Sequence, residues 1–176
     1  MLAYAGLRPE EALALGWSHV RLNTLLIERK LVRGELIAGQ KNKRTIRTVN
    51  LLRPLADDFR AYAEQPGRDG LGFPKPDGEP WLDHDFRNWR KRVFRPAAEA
   101  CGFAALRPYD LRHSFASLVI HDGKPLMEIA EQLGHSAETL LRHYAHLIAE
   151  MAGQPPIPAE QAVLGARAEL KRAAKQ

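Results

Sequence analysis

The sequence predicts an α+β fold that is mainly helical, with a small three-stranded antiparallel sheet near the N-terminus. Between residues 24 and 50, short apolar segments precede one that is β-branched and alternating, which is typical of strands. From residue 83 onward, long segments of good helix formers are separated by single glycines, which is typical of helices. With 176 residues and 45% hydrophobic side chains, the chain can bury the core of one domain.

The N-terminal half is predicted to hold short elements. Good helix formers on both sides of Gly6 and Pro9 indicate two helical segments, with Pro9 at a favourable first-turn position. Arg33-Gly34 predicts a hairpin turn, and Pro54 opens the next helix. The predicted ranges are 2–5 and 10–17 for the helical segments, 24–32, 35–38 and 44–50 for the strands, 54–64 for the next helix and 66–80 for a loop.

The C-terminal half is predicted to be helical, because Gly102, Gly123 and Gly134 stand where helices would end. A stiff linker (GQPPIP, 153–158) then separates a tail rich in Ala, Arg, Lys and Glu. We therefore expect one domain over 1–152, followed by a linker and helical tail over 153–176. The predicted helices span 83–101, 109–121, 125–133, 136–150 and 159–173.

Composition narrows the possible partners. A formal net charge of +5 and a pI near 9.6 favour an anionic partner such as nucleic acid, although charge alone is weak support. No apolar run has the length of a membrane span, so we expect a cytoplasmic protein without a membrane partner. Cys101 is the single cysteine, which excludes an internal disulfide and argues against a cysteine-based zinc site.

Several residues could act on a phosphodiester. Breaking one without a metal needs fixed cations, a proton donor for the leaving oxygen and a hydroxyl that can be activated. Arg8 stands at the mouth of an apolar helix with Glu11 one turn on, which by itself is typical of a helix-end ion pair. A basic cluster follows at a hairpin turn, where a run of charges usually lies in solvent: Lys41, Lys43, Arg44 and Arg47.

Two later segments add candidates. RPYDLRHSFASL (107–118) places Tyr109, Arg112 and His113 at the start of an apolar helix. LGHSAETLLRHYAHL (133–147) places His135 after a helix-ending glycine and Tyr144 on the next helix. Taken alone, His135 is more typical of a capping or packing histidine, and Tyr144 of a half-buried core tyrosine.

In this order the motifs resemble the catalytic domain of the tyrosine recombinases, or phage-type integrases. The resemblance extends from residue 1 to about residue 150, and five motifs in order leave little room for chance. They are Arg8 in GLRPEEALAL, Lys41 before RTIRTVNL, Tyr109-x-x-Arg112 in PYDLRHSFAS, His135 in LGH and Tyr144 in HYAHL.

The resemblance implies a role for each of these residues. Arg8 and Arg112 would grip the non-bridging oxygens of the scissile phosphate, with Glu11 orienting Arg8. His135 would donate a hydrogen bond to the phosphate, and Tyr144 would form a 3′-phosphotyrosyl bond. The leaving 5′ oxygen would take its proton from Lys41, with Lys43 as the alternative donor.

One position departs from the family pattern. The family more often has histidine where this sequence has Tyr109. A tyrosine can donate a hydrogen bond to a phosphate oxygen but is a poor general base at neutral pH. The group that takes the proton from Tyr144 therefore stays open, and His113 is expected to be a supporting residue.

The resemblance also implies contacts with double-stranded DNA outside the reacting phosphate. Arg87, Lys91 and Arg95 would share one face of the most basic helix, since they are spaced four residues apart. The predicted DNA-binding residues are Lys43, Arg44, Arg87, Arg90, Lys91 and His113.

The implied reaction is two successive transesterifications, which need no metal or nucleotide cofactor because the phosphotyrosyl bond conserves the bond energy. The implied partners are DNA in the nucleoid and other protomers in a synaptic tetramer, on one of which the tail would dock. The chain opens inside an amphipathic helix (MLAYAGLRPEEALALGW), so we expect a catalytic domain without the family's N-terminal DNA-clamping domain. Two alternatives stay open: nicking and closing like a type IB topoisomerase, and a truncated, inactive DNA-binding remnant.

Overall fold

A computed structural model describes residues 1–39, 46–64, 70–151, 153 and 158–174. The mainly helical fold with a small antiparallel sheet is confirmed, and most helix bounds fall within two residues of the predicted ones. The helices are α1 (Leu2–Ala5), α2 (Pro9–Leu13), α3 (Arg53–Ala63), α4 (Asp83–Trp89), α5 (Arg95–Ala100), α6 (Asp110–His121), α7 (Leu126–Leu133), α8 (Ala137–Met151) and α9 (Ala159–Ala173). The strands are β1 (Thr24–Ile27), β2 (Arg29–Val32), β3 (Glu35–Ala38) and β4 (Arg47–Asn50).

The strands are arranged differently from the single three-stranded sheet that the sequence predicts. Among the described residues, β1 pairs with β4 and β2 pairs with β3, both antiparallel. The predicted strand 24–32 is interrupted at Glu28, whose carboxylate lies 2.8 Å from Nε2 of His19. Beyond this residue β2 pairs with β3, whereas β1 before it pairs with β4. Residues 40–45, with Lys41, Lys43 and Arg44, lie outside the described residues.

Two hydrophobic clusters form the core. The first joins α1, α2, β1, β4 and α3, and the second joins α6, α7 and α8. Gly6 lies where the two clusters meet. A Cβ at this position would lie 2.5 Å from a ring carbon of Phe115, so only glycine leaves room for this close approach. Its φ of +67° is also a conformation that side chains disfavour. The chain can therefore pass from α1 to α2 directly against α6, which brings residue 8 to the second cluster.

The basic helix is continuous but not uniform. Between α4 and α5 the backbone is π-helical over Arg90–Phe94, with wider turns than an α-helix. Lys91 and Arg95 therefore do not keep the α-helical offset that the predicted shared face assumed. Arg87, Arg90 and Lys91 are all exposed, as a DNA-contacting surface requires.

The C-terminal helix α9 packs on its own chain. Arg167 donates to both carboxylate oxygens of Asp58, at 3.1 and 2.6 Å, and lies 4.7 Å from the ring centroid of Tyr4. Ala159 and Val163 of α9 are buried. This side of the tail, which was predicted to dock on a neighbouring protomer, therefore packs on its own chain. In the part of the chain that the structure describes, no helix has both the length and the apolar character to cross a membrane.

Candidate active site

The candidate site forms at the corner between α7 and α8. Gly134 ends α7 with a φ of +64°, and the carbonyls of Leu133 and Gly134 at this corner meet side chains from α6 and from the start of α2. Arg112 donates to the carbonyl oxygens of Leu133 and Gly6, and Arg8 donates to that of Gly134 at 3.3 Å. The two arginines predicted to bind phosphate are thus held on adjacent residues of one corner.

Arg112 and Arg8 differ in how far solvent reaches their side chains. Arg112 is 1% exposed, whereas the side chain of Arg8 is 32% exposed. Burial, and then the nearby charge of Arg8, lowers the pKa of Arg112 to about 10, so Arg112 stays charged at neutral pH. Of these two arginines, Arg112 is therefore a fixed, buried cation and Arg8 is one that solvent can reach.

Glu11 is the counter-charge for three arginines. Its carboxylate accepts two hydrogen bonds from Arg8, through the backbone N–H and Nη1, each at 2.9 Å. Arg47 donates to both carboxylate oxygens, also at 2.9 Å, and Nη1 of Arg112 lies 4.0 Å away. Burial acts to raise the pKa of Glu11, but the hydrogen bonds and charges of Arg47 and Arg8 outweigh it and lower the pKa to about 2. The predicted pairing of Glu11 with Arg8 is present.

Arg47 is a site residue whose role the sequence interpretation missed. It lies in the predicted strand 44–50 but belongs to a basic cluster of the kind that usually lies in solvent, yet its side chain is 8% exposed and binds Glu11 and the carbonyl oxygen of Gln132, the latter at 3.0 Å. The signal was present in the strand alternation, because Arg47 lies on the same face of β4 as the buried Val49.

His135 follows the corner directly. Its Nε2 lies 3.0 Å from Nη2 of Arg112, and the guanidinium must be the donor because it has no acceptor. Burial, and then the charges of Arg112 and Arg8, lowers the pKa of His135 to about 4. The ring is therefore neutral at pH 7. An anion bound between these groups would favour the protonated ring, which can donate from both nitrogens.

Tyr144 completes the site from α8. It is 4% exposed, and its hydroxyl lies 2.7 Å from Nδ1 of His113. Burial raises the pKa of the Tyr144 phenol, although the charge of Arg112 opposes this. Burial also lowers the pKa of His113, so its ring is neutral at neutral pH. His113 is predicted from the sequence as a DNA contact and a supporting residue. In the structure it lies within hydrogen-bond distance of the Tyr144 hydroxyl, the nucleophile that the motifs indicate.

Tyr109 lies at the start of α6. It is 39% exposed, and its ring meets that of His113 edge to face, with centroids 5.3 Å apart. The structure thus brings Arg8, Glu11, Arg112, His135, Tyr109 and Tyr144 to one region. The predicted proton donors Lys41 and Lys43, and the predicted DNA contact Arg44, fall outside the described residues.

The chain is similar in sequence to known proteins. A family model described as the Phage integrase family matches residues 1–151. The chain is 30% identical over 154 residues to tyrosine recombinase XerD of Brucella suis, covering 82% of this chain and 45% of that protein. It is 32% identical over 152 residues to an integrase of Streptomyces ambofaciens, covering 74% of this chain and 38% of that protein. The chain therefore spans less than half the length of these relatives.

Solved structures show the same fold. The Tn1549 transposon integrase, in complex with transposon right end DNA, matches with a TM-score of 0.69 at 18% identity, over 87% of this chain and 56% of that one. The XerA recombinase matches with a TM-score of 0.63 at 21% identity, over 89% of this chain and 55% of that one. At these identities the likeness concerns the fold alone.

Proposed function

Because the chain belongs to the phage integrase family, as its motifs predicted, we propose that it cuts and rejoins double-stranded DNA through a bond between Tyr144 and a 3′-phosphate. One observation carries this proposal. Arg8 and Arg112, far apart in sequence, are held on adjacent carbonyls of a single corner, with His135 at the same corner and Tyr144 on the helix that follows it. Two cations, a histidine and a hydroxyl are the groups that metal-free phosphoryl transfer needs.

In the cutting step, Oη of Tyr144 attacks the phosphorus and the bond from phosphorus to the 5′ oxygen breaks. The guanidiniums of Arg8 and Arg112 stabilise the charge that develops on the non-bridging oxygens, and His135 donates a hydrogen bond to one of them. Lys41 protonates the leaving 5′ oxygen, with Lys43 as the alternative donor. Rejoining reverses these steps with the 5′-hydroxyl of a partner strand.

The position of Lys41 in the sequence is compatible with its proposed role as proton donor. Lys41 precedes Arg47 by six residues, and Arg47 is fixed on Glu11 inside the site. An extended segment of that length reaches at most about 20 Å. The length of this segment therefore allows Lys41 to serve as the proton donor in the proposed reaction.

DNA would also contact the exposed basic residues of α4 and the π-helical segment. Arg87, Arg90 and Lys91 are exposed, which leaves their charges available to phosphates. Lys43 and Arg44, near the proposed proton donor in sequence, would add to this surface. In this proposal the protein acts on nucleoid DNA in the cytoplasm.

Assembly of several protomers on DNA is the second part of the proposal. The tail has apolar side chains that α3 does not cover, since Leu164 is 52% and Leu170 is 60% exposed. These side chains support contact with a neighbouring protomer. Deletion of 153–176 should reduce the fraction of DNA held in synaptic complexes, as measured by native gel electrophoresis, while a deletion that leaves this fraction unchanged contradicts a role for the tail.

A suicide substrate tests the chemistry. The probe is a pool of duplexes with randomised sequence, nicked at one fixed position and labelled at the 5′ end of the nicked strand. Members of the pool that are cut just upstream of the nick lose the short fragment and stay bound to the protein. A covalent adduct between label and protein, absent from Tyr144→Phe, is expected. Tyr62→Phe is the matched control, because Tyr62 stacks on Phe73 outside the site and should leave the adduct intact.

Two other outcomes would redirect the proposal. DNA binding without any adduct would favour an inactive remnant. An adduct together with relaxation of supercoiled DNA that carries a single site would favour nicking and closing over recombination between two sites.

A further inference from the structure

The proposed cutting step leaves one proton without an acceptor. The phenol of Tyr144 is buried and its pKa is raised, so it enters the reaction protonated. Attack on phosphorus requires that proton to leave Oη. The position where the family more often has histidine carries Tyr109 here, and a phenol is a poor base at neutral pH.

His113 is placed to receive the proton. Its Nδ1 lies 2.7 Å from Oη of Tyr144, which is hydrogen-bond distance and within the range required of a general base. The phenol is the donor in this bond when the imidazole carries its own proton on Nε2.

The contact is built into the packing of two helices. His113 lies on the first turn of α6, directly after Arg112, and Tyr144 lies in the middle of α8. Phe115 and Leu140 from the same two helices are buried in the same cluster as Tyr144. The ring of Tyr109 meets His113 edge to face at 5.3 Å. His113 is thus fixed between the ring of Tyr109 and the hydroxyl of Tyr144.

The groups around His113 favour the neutral imidazole, which can accept a proton. Burial lowers its pKa, and the positive charges nearby act in the same direction, while a carboxylate opposes them. A neutral imidazole is the form that can take a proton. The groups that face the ring are Asp110, Arg112, Arg107 and His143, together with the phenols of Tyr109 and Tyr144.

We propose that His113 is the general base for Tyr144, an inference that rests on the proposed function. As Oη bonds to phosphorus, its proton passes to Nδ1 of His113, while the 5′ oxygen leaves with a proton from Lys41. In rejoining, His113 returns the proton to Oη as the bond from Tyr144 to phosphorus breaks. Tyr109 is a positioning residue that acts through its ring contact with His113.

The rate of adduct formation as a function of pH tests this role, with the nicked random-sequence pool as the probe. The wild-type rate should rise with pH and level off once His113 is neutral. His113→Ala should be slower by about 10²-fold at pH 7. Its rate should keep rising by about tenfold per pH unit, since the phenol must then ionise unaided. Free imidazole should restore part of the lost rate.

A second variant separates proton transfer from packing. Fluorotyrosine at position 144 has a more acidic phenol, so it should recover much of the rate lost in His113→Ala while changing the wild-type rate little. His146→Ala is the matched control, because His146 is an exposed histidine on the same helix, and its pH profile should equal that of the wild type.

The outcomes distinguish this inference from the proposed function. A wild-type chain that forms no adduct contradicts both. A wild-type adduct combined with a folded His113→Ala that keeps the wild-type rate and pH profile contradicts the role of His113 alone. The same holds if fluorotyrosine or imidazole restores nothing, because a purely structural loss would behave in that way.

Discussion

Glu11 binds the guanidinium of Arg47 through both of its carboxylate oxygens, each at 2.9 Å. Both side chains are only 8% exposed, so removal of one partner leaves the other charge buried. We therefore expect Arg47→Ala to lower the free energy of unfolding by about 3–5 kcal/mol. Urea denaturation followed by circular dichroism measures this loss.

Arg60→Ala is the matched control for that experiment. Arg60 pairs with Asp57 at the same distance of 2.9 Å, but these side chains are 55% and 53% exposed. An exposed pair contributes about 0–1 kcal/mol, so little should change. Equal losses of unfolding free energy in the two variants would mean that the pair of Arg47 and Glu11 contributes no more to stability than an exposed ion pair.

The lowered pKa of Glu11 makes stability depend on pH. The pKa falls from an ordinary 4.5 to about 2 in the folded chain, so the carboxylate contributes roughly 3 kcal/mol above pH 4.5. This contribution is lost as pH falls from about 4.5 towards about 2, because protons then bind the unfolded chain first. Unfolding free energies measured from pH 7 to pH 3 should show the decline.

Glu11→Gln isolates that contribution. The variant should be less stable at pH 7 and should lack the part of the decline below pH 4.5. His135 adds a separate decline between pH 6.5 and about 4, since its own pKa is also lowered, and this part should persist in Glu11→Gln. Parallel curves for the variant and the wild type below pH 4.5 would refute the assignment.

Removal of the Arg112 side chain should reduce stability more than removal of the Arg8 side chain. Arg112→Ala leaves the buried carbonyls of Gly6 and Leu133 without a donor, so both the cutting rate and about 3 kcal/mol of stability should be lost. Arg8→Ala, at a more exposed position, should lower the cutting rate by about 10²–10³-fold but stability by only about 1 kcal/mol. The suicide substrate and urea denaturation measure the two effects. Equal loss of stability in both variants would contradict the division between buried and accessible cation.

The exposed basic residues of α4 and the π-helical segment should set the salt dependence of DNA binding. Each phosphate contact contributes about 0.9 to the slope of log affinity against log salt, so Arg87→Ala with Lys91→Ala should reduce the slope by up to about 2. Lys171→Ala with Arg172→Ala removes the same charge from exposed positions on α9 and should change the slope less. Fluorescence anisotropy at several salt concentrations gives the slopes, and an unchanged slope in the first pair would remove these residues from the interface.

The sequence predicted the helices well because their ends carry local signals. Gly134 and the linker before α9 gave bounds within a residue or two. Strand partners could not be predicted in the same way, since pairing joins residues that are distant in sequence. Thus the division of 24–32 at Glu28, and the pairing of β1 with β4, were missed.

The same contrast holds within the site. Arg8, Arg112, His135 and Tyr144 were found from ordered motifs. The role of Arg47 was missed because the charges around it resemble a solvated turn, although its alternation with Val49 in the predicted strand indicated an inward side chain. The contact of His113 with Tyr144 depends on how α6 packs against α8, so no local pattern could have predicted it.

The corner at Leu133 and Gly134 also has a consequence for protein synthesis. Arg8 and Arg112 are translated before the carbonyls of Leu133 and Gly134 that hold them at this corner, and Tyr144 is translated later still. A chain still emerging from the ribosome therefore has both arginines but lacks the corner that orders them. Under the proposed function, strand breakage would be confined to molecules whose synthesis has passed Tyr144 and whose last core helices have packed.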